Sequence, residues 1–330
     1  MFSELTHDQA RHMVDVRQVF EELEACRDRL AHSFSGSMRW AQRKGYEYLL
    51  KKDGERERSL GRRDHGTEAR YAAFTHGRDE ARQRLQALDG RLDAMAPVAR
   101  ALRLNRLPLT AARVLRHLAD AELLGNLLVV VGTTSLYLYE AMAAVQLEGG
   151  LLATEDMDLL WDARQALTLA GAPGRAEGIL GILQRADRSF KPAARAPFRA
   201  VNRDGFMVDL IRPIDVRSPN IPAGEDLDAA EIAGLDWLVN APKVDDIVIA
   251  HDGRPVRMWS VDPRVFALHK LWLADRADRP PLKRGRDRVQ AAAAHAMAGR
   301  FGLGMRDPAL SGLPAALRDN VAMLEGRGGA

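Results

Sequence analysis

The run "NLLVVVG" at residues 126–132 carries no charge and ends on a glycine, and it constrains the fold more than any other stretch. A continuous aliphatic run of this length between turn signals reads as a strand buried on both faces. The pattern then alternates. "TSLYLYEAMAAVQ" (134–146) reads as a helix and "EDMDLLWD" (155–162) as a second strand. Residues 163–187 hold one or two helices, and "RAVNRDGFMVDLIRP" (199–213) forms a hairpin turning at Asp204-Gly205 whose second arm is a third strand. After a Pro-rich, acidic loop at 213–226, "KVDDIVIAHDGRPVRMWSVD" reads as another hairpin with Asp252-Gly253 at its turn. Two helices follow, "PRVFALHKLWLADRADR" with Pro263 in a favoured first-turn position, and "RDRVQAAAAHAMAGRF". The tail from Gly326 reads as disordered. Strand, helix, strand, helix, strand predicts an α+β protein: a mixed sheet flanked by helices.

Ahead of this lies a different texture. Residues 3–33 read as amphipathic helix, 34–63 as a small antiparallel hairpin or meander with turns at Lys44-Gly45 and Asp53-Gly54, and 67–95 as a charge-laced, coiled-coil-like arm. Pro97 and Pro108 punctuate the region between, and the expected division is an N-terminal helical and β-hairpin region, 1–105, followed by a domain over 106–330. The hairpin is basic, with Arg39, Arg43, Lys44, Lys51, Lys52, Arg56, Arg58, Arg62 and Arg63. Trp40, Tyr46 and Tyr48 interleave with these cations, the chemistry of a single-strand or RNA-binding surface; the same aromatics would equally serve a core beneath a solvated face.

The strand at 155–162 raises a problem of charge. Side chains alternate along a strand, so Asp156 and Asp158 share a face about 7 Å apart. Two carboxylates on one face repel unless a cation sits beside them, and magnesium takes one or two carboxylates together with waters and phosphates. Asp209, a lone acid within "FMVDLI", is a third member for the same face. The Asp156–Asp158 pair has a plainer reading as a strand cap or as a partner of nearby arginines, and Asp209 has one as a solvated acid at a strand end. Upstream, a strand entering Gly132 and then Thr133, Thr134 and Ser135 at the start of a helix gathers backbone N–H groups at one point. Gly132 admits close approach of a ligand, and the hydroxyls can cap the helix or bind phosphate. No Gly-Lys follows, so this is not a Walker A loop.

Other chemistries lack support. The histidines show no His-x-x-x-His pair, Cys26 is the only cysteine and lies in a charged helical segment, and no nucleophile elbow is present. One cysteine and charges throughout the first thirty residues predict a reducing, cytoplasmic setting, and no stretch has the roughly 20 apolar residues of a membrane span.

Taken together, "VVVGTTSLYLYEAM", "LLATEDMDLLWDAR" and "GFMVDLIRP" resemble the DNA polymerase β-type nucleotidyltransferase superfamily. Within it the likeness is to the minimal bacterial nucleotidyltransferases, a group that includes toxin-like enzymes of toxin–antitoxin and phage-defence systems. The resemblance covers residues 120–290 or so. It implies magnesium-dependent (or manganese-dependent) transfer of an NMP from an NTP to an acceptor hydroxyl, with release of pyrophosphate by a two-metal mechanism. By this likeness Gly132, Thr133 and Thr134 hold the nucleotide's phosphates, Asp156 and Asp158 bind the metals, and Asp209 completes the metal site and serves or orients the base. A lysine of the later helices would reach the triphosphate, with Lys270 the match and Lys283 and Arg284 as further candidates. The acceptor would be an RNA or tRNA end held by the hairpin 34–63, or a protein; an antitoxin would be a partner. The motif departs from the family in having Gly-Thr where Gly-Gly or Gly-Ser is usual, and in a longer gap from Thr133 to Asp156. Two rivals stand beside the enzyme: a catalytically silent nucleotide- or nucleic-acid-binding protein of the same fold, and an interaction protein whose aspartates are structural.

Overall fold

The computed structural model describes residues 1–162, 178–214 and 227–326. The expectations for the start of the 163–187 helical segment, for most of the 213–226 loop and for the last four residues lie outside these. The chain divides into two compact units, one of Met1–Ala10, Arg103–Asp252 and Val256–Ala330, the other of Arg11–Leu102 with Gly253–Pro255. The first strand, β1 (Phe2–Glu4), thus belongs with sequence that follows a hundred residues later. A single cut at residue 105 would strip it from its partner.

In the smaller unit, α1 (His7–His32) buries His12, Val16, Val19, Leu23 and Cys26, a three-four spacing that makes one apolar seam. A three-stranded antiparallel meander follows: β2 (Ser37–Arg43), β3 (Tyr46–Asp53) and β4 (Arg56–Arg62). Lys44 and Gly45 both take positive φ at the first turn, as a tight two-residue connection requires. Helix α2 (His65–Ala101) starts at a capping box in which Asp64 accepts from the Thr67 backbone, and Thr67, Phe74, Ala81 and Leu88 are buried at intervals of seven. The helix runs on through Pro97, contrary to the expected break; Pro97 is exposed, so the carbonyl it leaves unpaired meets water. Trp40 packs on Tyr71 at 5.8 Å, while the Arg62 guanidinium lies 3.3 Å from the centre of the exposed Tyr46 ring. Arg39 pairs with Glu57 and Arg63 with Glu47 and Glu68, so part of the basic charge is neutralised internally.

The larger unit is built on an eight-stranded mixed sheet. Its elements in order are α3 (Leu109–Asp120), β5 (Leu128–Val131), α4 (Ser135–Ala143), β6 (Val145–Leu147), α5 (Gly149–Leu152), β7 (Asp156–Trp161), α6 (Gly178–Ala186), β8 (Lys191–Ala193), β9 (Ala196–Val201) and β10 (Met207–Pro213). Then come β11 (Ala230–Ile232), α7 (Leu235–Asn240), β12 (Lys243–Ile249), β13 (Pro255–Val261), α8 (Pro263–Asp275), α9 (Pro281–Arg300) and two short helices, α10 (Ala315–Arg318) and α11 (Val321–Glu325). The strand order is β12-β13-β5-β7-β10-β9-β8, with β11 alongside β10. The α+β class and the three strands read from aliphatic runs are all present.

The helix expected over 134–146 stops early. Ala144 adopts φ 51°, a left-handed end, and Val145–Leu147 become β6, paired antiparallel with β1. Within the longer gap from Thr133 to Asp156, Gly149–Leu152 form the single turn α5. None of the described helices is long and apolar enough to cross a membrane.

Candidate active site

Strand β5 delivers the chain to the site. Leu128–Val131 are all buried, and Gly132 turns the chain with φ +71° into one turn of 3-10 helix before α4. A β-carbon on Gly132 would stand 2.3 Å from Asp158 Oδ2, so the missing side chain is what lets the carboxylate fit under the turn. The three hydroxyls that follow have different fates. Thr134 is buried and donates to the Asp156 carbonyl at 3.2 Å; Ser135 is buried and donates to the Val130 carbonyl at 3.2 Å. Both tie the turn to the sheet, and Thr134, expected at the phosphates, faces the strands instead. Thr133 alone of the three lines the adjoining cavity, which has a volume of about 420 Å³.

Register brings the acids together. Asp158 on β7 lies opposite Val131 of β5 on one side and Asp209 of β10 on the other, and Asp209 lies opposite Arg199 of β9. The four residues form one transverse row across four strands. Asp156, two residues back, lines the same cavity and accepts a hydrogen bond from the Thr154 hydroxyl. Burial, then the charges of Asp156 and Asp209, push the Asp158 carboxyl up to about 7, against the pull of Lys270 and Arg199. Asp209 is buried and takes a bidentate pair from Arg199, Nε to Oδ1 and Nη2 to Oδ2, each at 2.7 Å. That pairing raises the Arg199 guanidinium further above its usual range.

Helices α8 and α9 supply the cations. Phe266, His269, Lys270 and Leu273 recur at three and four residues along α8, and Lys283, Arg286, Asp287 and Gln290 do so along α9; all line the cavity. Lys270 is buried, not on a solvated face. Its Nζ donates to Asp287 Oδ1 at 2.9 Å while Arg279 Nε donates to Oδ2 at 2.7 Å. Burial pulls the Lys270 ammonium below its ordinary range, and Asp287 opposes this. Arg284 lies outside the lining, its guanidinium donating to the Arg279 and Ala277 carbonyls.

His269 is buried and stacked on Trp272 with ring centres 5.6 Å apart. Burial first, and Lys270 second, push it down to about 3 from an ordinary 6.5. A folded value below the unfolded one means stability present above pH 6.5 and lost progressively as the pH falls towards 3. At pH 5 the loss is about 2 kcal/mol on that shift. Substituting His269→Phe is therefore expected to raise the melting temperature at pH 5 relative to the unsubstituted protein by more than at pH 8, measured by calorimetry at both values.

Asp156 and Asp158, on one face beneath a glycine that leaves them room, suit a hard divalent cation: their mutual repulsion is what such an ion would relieve. Asp209 shares that face but spends both oxygens on Arg199, and among the described residues no three His, Cys, Asp or Glu side chains gather into a metal-holding group. The carboxylate pair therefore fits a cation better than the triad does.

Sequence reasoning missed Arg199, Arg279, Arg286, Asp287 and Gln290. For Arg199 the signal was within reach: a hairpin centred near Asp204 pairs 199 with 209. For the α9 residues it was the three-four spacing from Lys283 to Gln290.

A family model described as nucleotidyltransferase matches residues 110–301, a span that includes every residue of the cavity named above. No curated protein and no solved structure matches the chain.

Proposed function

The chain belongs to this nucleotidyltransferase family, and on that premise we propose that it moves an NMP from an NTP to an acceptor hydroxyl and releases pyrophosphate. The observation that carries this is a single cavity lined by the Asp156–Asp158 pair, the Gly132-Thr133 turn and the cations Lys270, Arg279, Lys283 and Arg286. A triphosphate needs donors and positive charge along its length, and a carboxylate pair to hold its counter-ion.

Asp156 and Asp158 would hold magnesium or manganese, which supplies charge neutralisation at the transferring phosphate and activation of the attacking oxygen. The Gly132 turn and Thr133 bind phosphate oxygens. Lys270, shared with Asp287, and the flanking Arg279, Lys283 and Arg286 orient the triphosphate and offset the charge that builds on leaving pyrophosphate. Asp209, fixed by Arg199, orients the acceptor hydroxyl or receives its proton. Apolar side chains of the lining, among them Ile211, Leu238 and Phe266, offer a dry surface for the base.

The acceptor is an RNA or tRNA end, bound by the basic meander over 34–63, in which Arg43 lies opposite Tyr46 and Arg62 opposite Tyr48. A protein hydroxyl is the other acceptor class. The setting this implies is cytoplasmic, in a toxin-like or phage-defence role with an antitoxin or other protein partner. The Arg199–Asp209 bidentate pair favours one alternative, a silent nucleotide binder, because it occupies the third carboxylate.

Purified protein with magnesium or manganese, each α-labelled NTP, total RNA and cell lysate decides between them. Label in RNA that vanishes in the Asp156→Ala, Asp158→Ala double variant is the expected result; label in a protein band would assign the other acceptor. Thermal stabilisation by an NTP without label would favour the silent binder. The absence of both stabilisation and label would overturn the nucleotide reading.

A further inference from the structure

Gln290 is fully buried on α9, yet it keeps an amide where a leucine would pack. Its Nε2 donates to the Leu151 carbonyl of α5 at 3.0 Å and to Thr133 Oγ1 at 3.2 Å, while its Oε1 is buried with no partner among the described residues. The orientation of the amide follows from chemistry. A backbone carbonyl only accepts, so the atom facing Leu151 must be the nitrogen. That same nitrogen faces Thr133, so its second proton goes to the threonine oxygen. The Thr133 hydroxyl is thereby fixed as an acceptor towards Gln290. Its own proton has no acceptor among the described residues, and Thr133 lines the cavity.

We infer that Gln290 is a positioning residue that sets the polarity of the Thr133 hydroxyl, so that its proton is presented to a phosphate oxygen of the bound nucleotide. This rests on the nucleotidyltransferase reading above. A phosphate oxygen only accepts, and a hydroxyl free to rotate would present a lone pair to it part of the time. Accepting from an amide also strengthens the hydroxyl as a donor. The arrangement gives the added length between Thr133 and Asp156 a role: α5 lies within it and supplies the carbonyl that holds the amide in place. The unsatisfied Oε1 is the cost of using an amide there.

The test is a double-mutant cycle on the full chain, with inorganic triphosphate plus magnesium titrated calorimetrically, so that neither the base nor turnover enters. Gln290→Leu and Thr133→Val are each expected to weaken binding about tenfold, the weight of one charge-assisted hydrogen bond. The double variant should be no weaker than the worse single one, and Thr133→Ser, which keeps the hydroxyl, should bind within about twofold of the original. Additive losses would show that Gln290 acts by packing alone and would overturn the inference. Gln290→Glu serves if the leucine variant does not fold. A carboxyl there accepts from Thr133 and turns the proton inward, so unchanged affinity in that variant would also overturn it. Should the unsubstituted protein bind no triphosphate with magnesium or manganese, the nucleotide reading itself falls; additivity with binding intact removes only the role of Gln290.

Discussion

Asp158→Ala is expected to reduce nucleotide transfer by about 10³-fold or more, some 4 kcal/mol of barrier at 1.36 kcal/mol per tenfold, while the protein remains folded. Asp158 sits at the centre of the transverse row, between Val131 and Asp209, and shares its face with Asp156. Alanine removes half of the carboxylate pair that would hold the cation. With its folded value about 7 and its ordinary value 3.8, the Asp158 carboxylate opposes folding increasingly as the pH rises from near 4 to 7. The opposition reaches about 4 kcal/mol at higher pH. Alanine abolishes it, so at pH 8 without divalent ions the variant should melt at or above the temperature of the unsubstituted protein. Calorimetry and the labelled-NTP assay together check this. A folded Asp158→Ala variant with normal turnover would take the residue out of the mechanism.

Gly132→Ala should be nearly as damaging by a different route. Alanine at φ +71° costs about 1–2 kcal/mol in backbone strain. The larger effect is positional, because the new methyl would meet Asp158 Oδ2 at 2.3 Å and Cγ at 3.3 Å. The carboxylate must move by about 1 Å to reach ordinary contact, and a displacement of that size costs around 10²-fold in rate. Gly205→Ala is the control. That glycine also has positive φ, +85°, but a β-carbon there meets nothing within 4 Å. It should show the backbone cost with transfer retained. Equal turnover in the two variants would mean that the closeness of Gly132 to Asp158 is not used.

The parts of the fold legible in the sequence are those fixed by local burial. β5, β7 and β10 each present a run of aliphatic residues that no exposed position could hold, and Gly132 follows from the strand's abrupt end. The hairpin readings at 199–213 and 243–262 succeeded because a turn residue pair sets the register of both arms. What stayed hidden depends on partners remote in sequence. β6 exists because Val145–Leu147 find β1. The pairing of Lys270, the lysine expected at the triphosphate, with Asp287 seventeen residues on depends on how α8 packs against α9. Thr134 and Ser135 looked equivalent to Thr133, since the sequence does not say which hydroxyl will face a strand carbonyl. Pro97 was misleading because its effect depends on exposure, which its neighbours do not reveal.

The row Val131–Asp158–Asp209–Arg199 is set by the ladder pairings of β5, β7, β10 and β9. Its consequence is a parity rule for how such a chain can evolve. Insertion or deletion of one residue ahead of Asp158 within β7 would turn that aspartate to the opposite face of the sheet, whereas a change of two would return it. Changes of length in loops away from the site leave this row untouched. Within the strands, length changes by odd numbers extinguish the carboxylate pair at once, even where every aspartate is still encoded.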